Sequence, residues 1–395
     1  MSTGFAVAKI VRAARHYQQR NDPLRRIADR AISGVKRDLL ASLKGLRELI
    51  PSDVADKYAR HADWTGLKDA VDWHHFRESL KGVFGQIGKA REAGAQHGAT
   101  QINTAFAQRR RAVRYRKGEL ALTWYWDYAT DPPLLKCIDD PSKLFSKVIE
   151  RTEEFKKDAN DQYAFDLYSQ EVQDELRAAQ DALIVGLEQD VRDSIDAIIM
   201  DAAQQGLGPE EIVDSIRDLI GLTDRQVAAV GNYRSMLENL DPGALDRQLR
   251  NVLEDDVVQQ AIDDQTDLAA AYIDKMTDDY VDNYLDYRAE TIAQSEVTRA
   301  VNAGLQDSYS QAIDRGVFPS EAVRQFWRIN PDACEICQSI PDMNPDGVAM
   351  DEAFDSIDGP QDAPPDPHPH CFCSLEIVTD LDMVSADSVD DGEAA

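Results

Sequence analysis

Between residues 142 and 315 the chain carries only two prolines, Pro209 and Pro242, and so long a run almost free of helix breakers points to a long helical body. Both prolines fit helix starts. In GLGPEEIVDSIRDLI, Gly208 and Pro209 precede two glutamates that suit the positive end of a helix dipole. In GLTDRQVAAVGNYRSMLENL, Thr223 is a candidate N-cap, with Gln226 three residues on to complete a capping box. Farther along, Tyr280, Tyr284 and Tyr287 recur at i, i+4 and i+7, the spacing of one helix face, which reads as core or a helix–helix seam.

Upstream, residues 1–130 read as helical segments broken by glycines, with apolar residues at helical spacing in LRRIADRAISGVKRDLLASLKGL. Near the end of this region RRRAVRYRK places Arg109, Arg110, Arg111, Arg114, Arg116 and Lys117 within nine positions, and Trp124, Tyr125, Trp126 and Tyr128 follow. Bases beside aromatics can grip phosphates and stack nucleobases. The plainer alternative is a solvated helix face leading into packed aromatics. The Pro- and Asp-rich stretch DPPLLKCIDDPS, 131–142, is the first candidate boundary, and its lone Cys137 reads as a buried or inert thiol.

Charge divides the chain at about the same place. Through residue 117 there are 24 Lys/Arg against 11 Asp/Glu, and the remainder holds 19 against 61. A basic front on so acidic a body suggests that the first segment meets something anionic, either nucleic acid or an acidic protein surface. The acids are 51 Asp and 21 Glu, while Arg outnumbers Lys by 29 to 14. Short, strongly hydrated carboxylates in place of lysine suit a halophilic setting, where salt screens self-repulsion; an ordinary acidic protein is the alternative. No run of about 18 apolar residues occurs, so no membrane span is expected, and the charged start MSTGFAVAKIVRAARHYQQR is not read as an export signal.

The character changes after residue 330, where half of the 16 prolines and four of the five cysteines lie. Short strands are expected at 323–329 and 373–379 around a loop-rich stretch. Cys334 and Cys337 form a C-x2-C knuckle, which puts two thiolates on one side of a tight turn. The second arm is His368-Pro369-His370-Cys371-Phe372-Cys373. His368 and Cys371 repeat the same chelate spacing, so one closed site is Cys334, Cys337, His368 and Cys371. Cys371 and Cys373 share a face of an extended strand, so a four-cysteine site is equally open. A structural Zn2+ is the expected occupant; disulfides and free buried thiols are the alternatives. The reading is therefore mainly α, with a long helical body and a small C-terminal α+β domain stapled by metal. The expected parts are a basic helical region at 1–130, an acidic helical domain at 142–315, a Cys/His domain at 316–379 and a disordered acidic tail at 380–395. No P-loop, G-x-S-x-G, dinucleotide fingerprint or H-E-x-x-H occurs, which makes enzyme the weaker class.

Five pieces in order resemble the minor head protein family of tailed phages, of the Mu F-like or head-morphogenesis type. They are GLTDRQVAAVGNYRSML, RAETIAQSEVTRAVNAG (288–304), FWRINPDACEICQSI, Gly347-Val348 with Phe354 following, and HPHCFCSLEIV. The likeness covers roughly 205–380, and it departs at Phe372, where the family usually has Arg. It implies a non-enzymatic structural protein of a virus head, associated with portal and major capsid proteins and assisting head assembly, DNA packaging or delivery. The expected place is the virion head, with the host cytoplasm during assembly; the salt-adapted composition points to a tailed virus or provirus of a halophilic archaeon. Packaged double-stranded DNA is a further expected partner through the basic N-terminal region. The alternatives are a metal-dependent nuclease or toxin-like effector joined to a head-protein domain, or a DNA-binding module. Within the second piece Glu296, Arg299 and Asn302 share a polar helix face, which either anchors the C-terminal domain or a partner, or holds an ordinary i, i+3 ion pair.

Overall fold

A computed structural model describes residues 22–130, 163–330, 333–366, 368 and 370–380, with side chains at all of these except 52, 53 and 106–130. Eleven α-helices and two short strands make it up: α1 (Pro23–Gly45), α2 (Ser52–Arg60), α3 (Trp64–Asp69), α4 (Trp73–Ser79), α5 (Lys81–Thr130), α6 (Gln170–Gln204), α7 (Pro209–Leu219), α8 (Asp224–Glu238), α9 (Asp255–Asp264), α10 (Ala270–Asp314), β1 (Val323–Arg328), α11 (Glu335–Met343) and β2 (Ser374–Thr379). The body is a long helical assembly, and the strands, α11 and the Cys/His cluster form a small C-terminal lobe.

The axis of the body is α10, which carries a buried face from Ile273 to Ala312 and is most enclosed from Arg288 onward. Helix α1 runs antiparallel beside it, with Lys36 at Asp286 and Glu290 and Lys44 at Asp282. Helix α5 runs parallel, with Gly94 against Val301 and Gln101 beside Tyr309. The glycines expected to break this stretch do not. Helix α5 continues through Gly82, Gly85, Gly88, Gly94 and Gly98, because two of them serve contact rather than interruption. A Cβ at Gly94 would run into the Val301 carbonyl, one at Gly98 would lie 2.8 Å from Ser308 Cβ, and one at Gly304 on α10 would meet the Arg91 carbonyl. Bare backbone on both helices is what lets α5 and α10 touch so closely.

Helix starts follow the local chemistry. Asp22 caps α1, accepting the N–H groups of Leu24 and Arg25, with Pro23 at the first helical position. Thr223 and Gln226 close the capping box of α8 reciprocally, at 3.4 and 2.9 Å. At α7 the Gly208 N–H donates to Glu211 at 2.7 Å. In the tyrosine stripe, Tyr280 is buried against Tyr233 and Tyr284, while Tyr287 is 43% exposed and lies under the ring of His370.

One hydrophobic cluster runs from Leu24 through Ile102 to Ile377, so the N-terminal helices, the acidic body and the C-terminal lobe share a core. The expected boundary at 131–142, with Cys137, lies outside the described residues, as does the tail from 381. The charge division has a structural counterpart within the chain. Residues 22–105 hold 14 bases and 11 acids, and many of these bases meet carboxylates of the body: Lys68 with Asp196, Arg77 with Glu188, and Arg91 with Asp307 and Glu175. Much of what the basic front touches is its own acidic body. The six bases at 109–117, by contrast, come without an acid in their segment.

Candidate metal centre

The C-terminal lobe is built on a two-stranded antiparallel sheet, β1 with β2, registered from Val323 opposite Thr379 to Arg328 opposite Ser374. Gln325 adds a bridge to Val348, just after Gly347, whose φ of +67° carries the chain close to Phe326. Inward-facing Trp327 packs edge-on to Phe354, and together they form a small apolar floor.

Chain direction then brings the two arms together. Cys334 is the N-cap of α11 and its Sγ receives the N–H of Cys337 at 3.5 Å; one turn on, Cys337 is fully buried. The second arm reaches the same point from the far side. Cys337 Sγ lies 3.7 Å from His368 Nε2 and 3.7 Å from Cys371 Sγ. Two triads therefore share Cys337: Cys334–Cys337–His368 and Cys337–Cys371–Cys373, the donor atoms of each within 4.8 Å of one another. Tetrahedral coordination with metal–sulfur bonds of ~2.3 Å has sulfur–sulfur edges of about 3.8 Å, close to the Cys337–Cys371 separation. The five donors anticipated from sequence meet in one cluster that could hold a metal ion.

The electrostatics agree with that use. The thiols of Cys337 and Cys371 donate toward Cys373 and hold it far below the ordinary thiol range, at about 3. Cys337 is pushed up by its hydrogen bonds to Cys371 and Cys373 and by burial. At Cys371 the lowering contact with Cys337 is outweighed by Cys373 and burial, and the thiol rises to about 12. Three sulfurs so crowded resist ionising together; a divalent cation would let all of them ionise. The buried Trp327 indole N–H also helps to lower Cys373. Sulfur and imidazole donors suit a borderline-soft ion and not a hard one such as Mg2+ or Ca2+.

His370, between the two ligating positions, does something else. It adopts a left-handed φ of 62°, uncommon outside glycine, and its ring is gripped by α10. Its Nδ1 meets Gln294 Oε1 at 2.8 Å, its Nε2 meets Thr291 Oγ1 at 2.5 Å, and its ring lies 5.3 Å from that of Tyr287. This anchor turns the arm so that Cys371 and Cys373 face α11. Sequence reasoning missed it; the second histidine of His-Pro-His was the available signal. Phe372 packs under the Arg25 guanidinium, 3.6 Å from its ring centre, and Ser374 Oγ donates to Asp22 at 2.6 Å, which ties the arm to the start of α1.

The three residues of the polar face on α10 part company. Arg299 pairs with Glu296 at i, i+3 at the surface. Asn302 is 2% exposed and anchors the lobe: its Nδ2 donates to the Thr298 and Pro364 carbonyls, and its Oδ1 accepts the N–H of Leu375. Arg109, Arg110, Arg111, Arg114, Arg116 and Lys117 lie on helix α5, and their side chains are outside the described residues. No family model, no curated protein and no solved structure matches the chain.

Proposed function

We propose that this chain is a structural, non-enzymatic minor head protein of a tailed virus, with a Zn2+ staple in its C-terminal lobe. The observation that carries the reading is the convergence of the motif pieces. Asn302, from RAETIAQSEVTRAVNAG, hydrogen-bonds the residues that flank His368, Cys371 and Cys373, and these meet the C-x2-C of FWRINPDACEICQSI. Arg288, from the same helical piece, donates to the Gly221 carbonyl that opens GLTDRQ and pairs with Asp190 at 2.7 Å. Pieces far apart in sequence thus behave as one unit, as an ordered family signature would require.

Zinc fits the donor set, and burial of Cys337, Cys371 and Cys373 favours a closed structural site over one with a position open to substrate. The same burial speaks against the nuclease or effector alternative. Portal and major capsid proteins are the proposed partners, in the virion head and in host cytoplasm during assembly. Gln101 lies beside Tyr309 and α10 ends at Asp314, so α5 runs on for about 24 residues, or ~36 Å, past that end. Its six bases are the proposed contact to packaged double-stranded DNA.

Mass spectrometry of purified virions tests the role: the chain should be present in low copy, and its absence would sink the proposal. Elemental analysis tests the staple, with one zinc per chain expected. For the DNA contact, the intact chain should bind duplex with a log–log salt slope of about −5, as expected for six phosphate contacts. Charge reversal at Arg109, Arg110 and Arg111 should roughly halve that slope; an unchanged slope removes the segment from the account.

A further inference from the structure

A tetrahedral ion takes four donors, and this centre has five. The surplus is among the sulfurs. Cys337, Cys371 and Cys373 all lie within 4.8 Å of one another, and Cys337 Sγ and Cys371 Sγ are 3.7 Å apart. Those two come from opposite sides of the centre, one from α11 and one from the arm that ends in β2. We propose that Cys337 and Cys371 are a site of oxidative cross-linking, at which a hydroperoxide converts the metal staple into a covalent one. This rests on the metal-centre part of the reading above, and not on a virion role.

The chemistry closes without a further reagent. One thiolate attacks an oxygen of the hydroperoxide, the O–O bond breaks, and the alkoxide leaves and takes a proton from solvent as the alcohol. The resulting sulfenic acid is attacked at sulfur by the second thiolate; the S–O bond breaks and hydroxide leaves, protonated to water. Two thiolates lose two electrons, one disulfide forms, and the peroxide is reduced to alcohol and water.

Distance favours the pair: of the two arm cysteines near Cys337, Cys371 has its Sγ at 3.7 Å, and Cys373 lies within 4.8 Å. The two sulfurs need to close from 3.7 Å to about 2.05 Å, a small movement for side chains already facing each other. A Cys334–Cys337 bond would close only the first turn of α11 and leave the arm untied. A Cys371–Cys373 bond would join neighbours on one extended segment, also without reaching α11. Only a bond from α11 to the arm reproduces what the metal does. The donors left over, Cys334, His368 and Cys373, number three, so the ion is held less well once the bond has formed. Cys337 and Cys371 are 0% and 1% exposed, whereas Cys334 and His368 are half-buried, so solvent and oxidant reach the centre from the Cys334–His368 side.

The test uses the full chain, reduced and zinc-loaded, with Cys137→Ser to remove the thiol outside the cluster. A few equivalents of hydrogen peroxide are added; zinc release is followed with a chromophoric chelator, and disulfides are mapped by mass spectrometry of unreduced peptides. The expected result is one zinc released and two thiols lost per chain, with Cys337 joined to Cys371. Residues 323–379 should stay as resistant to protease as in the zinc form. Cys373→Ser should still give the Cys337–Cys371 bond under peroxide, since it keeps the pair. A bond between Cys337 and Cys373, between Cys334 and Cys337, between Cys371 and Cys373 or between chains overturns the proposal. So does zinc release that leaves the lobe open to protease. A reduced chain that holds no zinc overturns the metal-centre reading itself, and is told apart because no zinc is then released whatever bond forms.

Discussion

Asn302 accepts the N–H of Leu375 at 3.0 Å through its Oδ1 while its Nδ2 reaches the Pro364 carbonyl at 3.3 Å, so one side chain of α10 holds the metal-bearing arm at both ends. The arm between these contacts carries His368, Cys371 and Cys373. Docking of the lobe and assembly of the metal centre are therefore coupled through one buried amide.

Replacing Asn302 by Ala leaves the Leu375 N–H and the Pro364 carbonyl buried without partners, at about 1–3 kcal/mol for each group. We expect N302A to loosen residues 323–379 and weaken zinc retention, with the long helices unchanged. Hydrogen exchange resolved by segment checks this. Equal protection of the lobe in both proteins would show that Asn302 is not the anchor.

The helix contact between α5 and α10 makes a prediction of opposite signs. Gly→Ala inside a helix is ordinarily stabilising by about 1 kcal/mol. At Gly88 nothing lies within 4 Å of an added Cβ, so G88A should stabilise by about that amount. At Gly304 the Cβ meets the Arg91 backbone carbonyl, so G304A should destabilise by about 2 kcal/mol or more, as overpacking does. Denaturant midpoints for the two variants decide it; similar shifts would mean that the helices can separate at little cost.

Much of this fold could be read from the residues because the decisive signals were local. Pro209, Thr223 and Gln226 mark helix starts through their own backbone chemistry, and the strands expected at 323–329 and 373–379 form within a residue or so of those limits. The C-x2-C and His-x2-Cys spacings likewise named the cluster. What the sequence hid depends on partners distant along the chain. Gly94 looks like a breaker until α5 and α10 are placed side by side and its bare backbone meets Val301. Glu296, Arg299 and Asn302 look alike on a helix wheel, and only the position of Leu375 separates the buried anchor from the surface pair. The basic front suggested an outside partner because its carboxylate partners lie up to some 250 residues away, as with Lys36 and Asp286.

Arg91 is 6% exposed and forms a two-point bond to Asp307, itself 11% exposed, at 2.7 and 2.9 Å. Burial raises the Asp307 carboxyl above its ordinary value even though Arg91 pulls it down. A raised carboxyl is one whose protonated form the fold favours, so its contribution is intact below about pH 4 and is lost as pH rises through the shifted value. Arg91→Met removes the lowering partner and should cost about 3–5 kcal/mol at pH 7. The penalty should shrink toward pH 4, and Asp307→Asn in the same chain should recover part of it. A penalty equal at both pH values would mean that Asp307 is not the group left stranded.

Salt should stabilise this protein, and the charge distribution says why. The ion pairs between the N-terminal helices and the body, such as Lys44–Asp282 and Lys68–Asp196, are partly exposed and worth about 0–1 kcal/mol each. Against them stands self-repulsion in a chain of net charge −29, whose acids fall mostly after residue 117. Raising KCl from 0.1 to 1 M shortens the screening length from about 10 Å to about 3 Å, which weakens the diffuse repulsion more than pairs in direct contact. The melting temperature should climb by several degrees across that range, with most of the gain at the low end. A melting temperature that falls with added KCl would mean that the interlayer ion pairs outweigh the repulsion, and would remove the physical basis for reading the composition as salt adaptation.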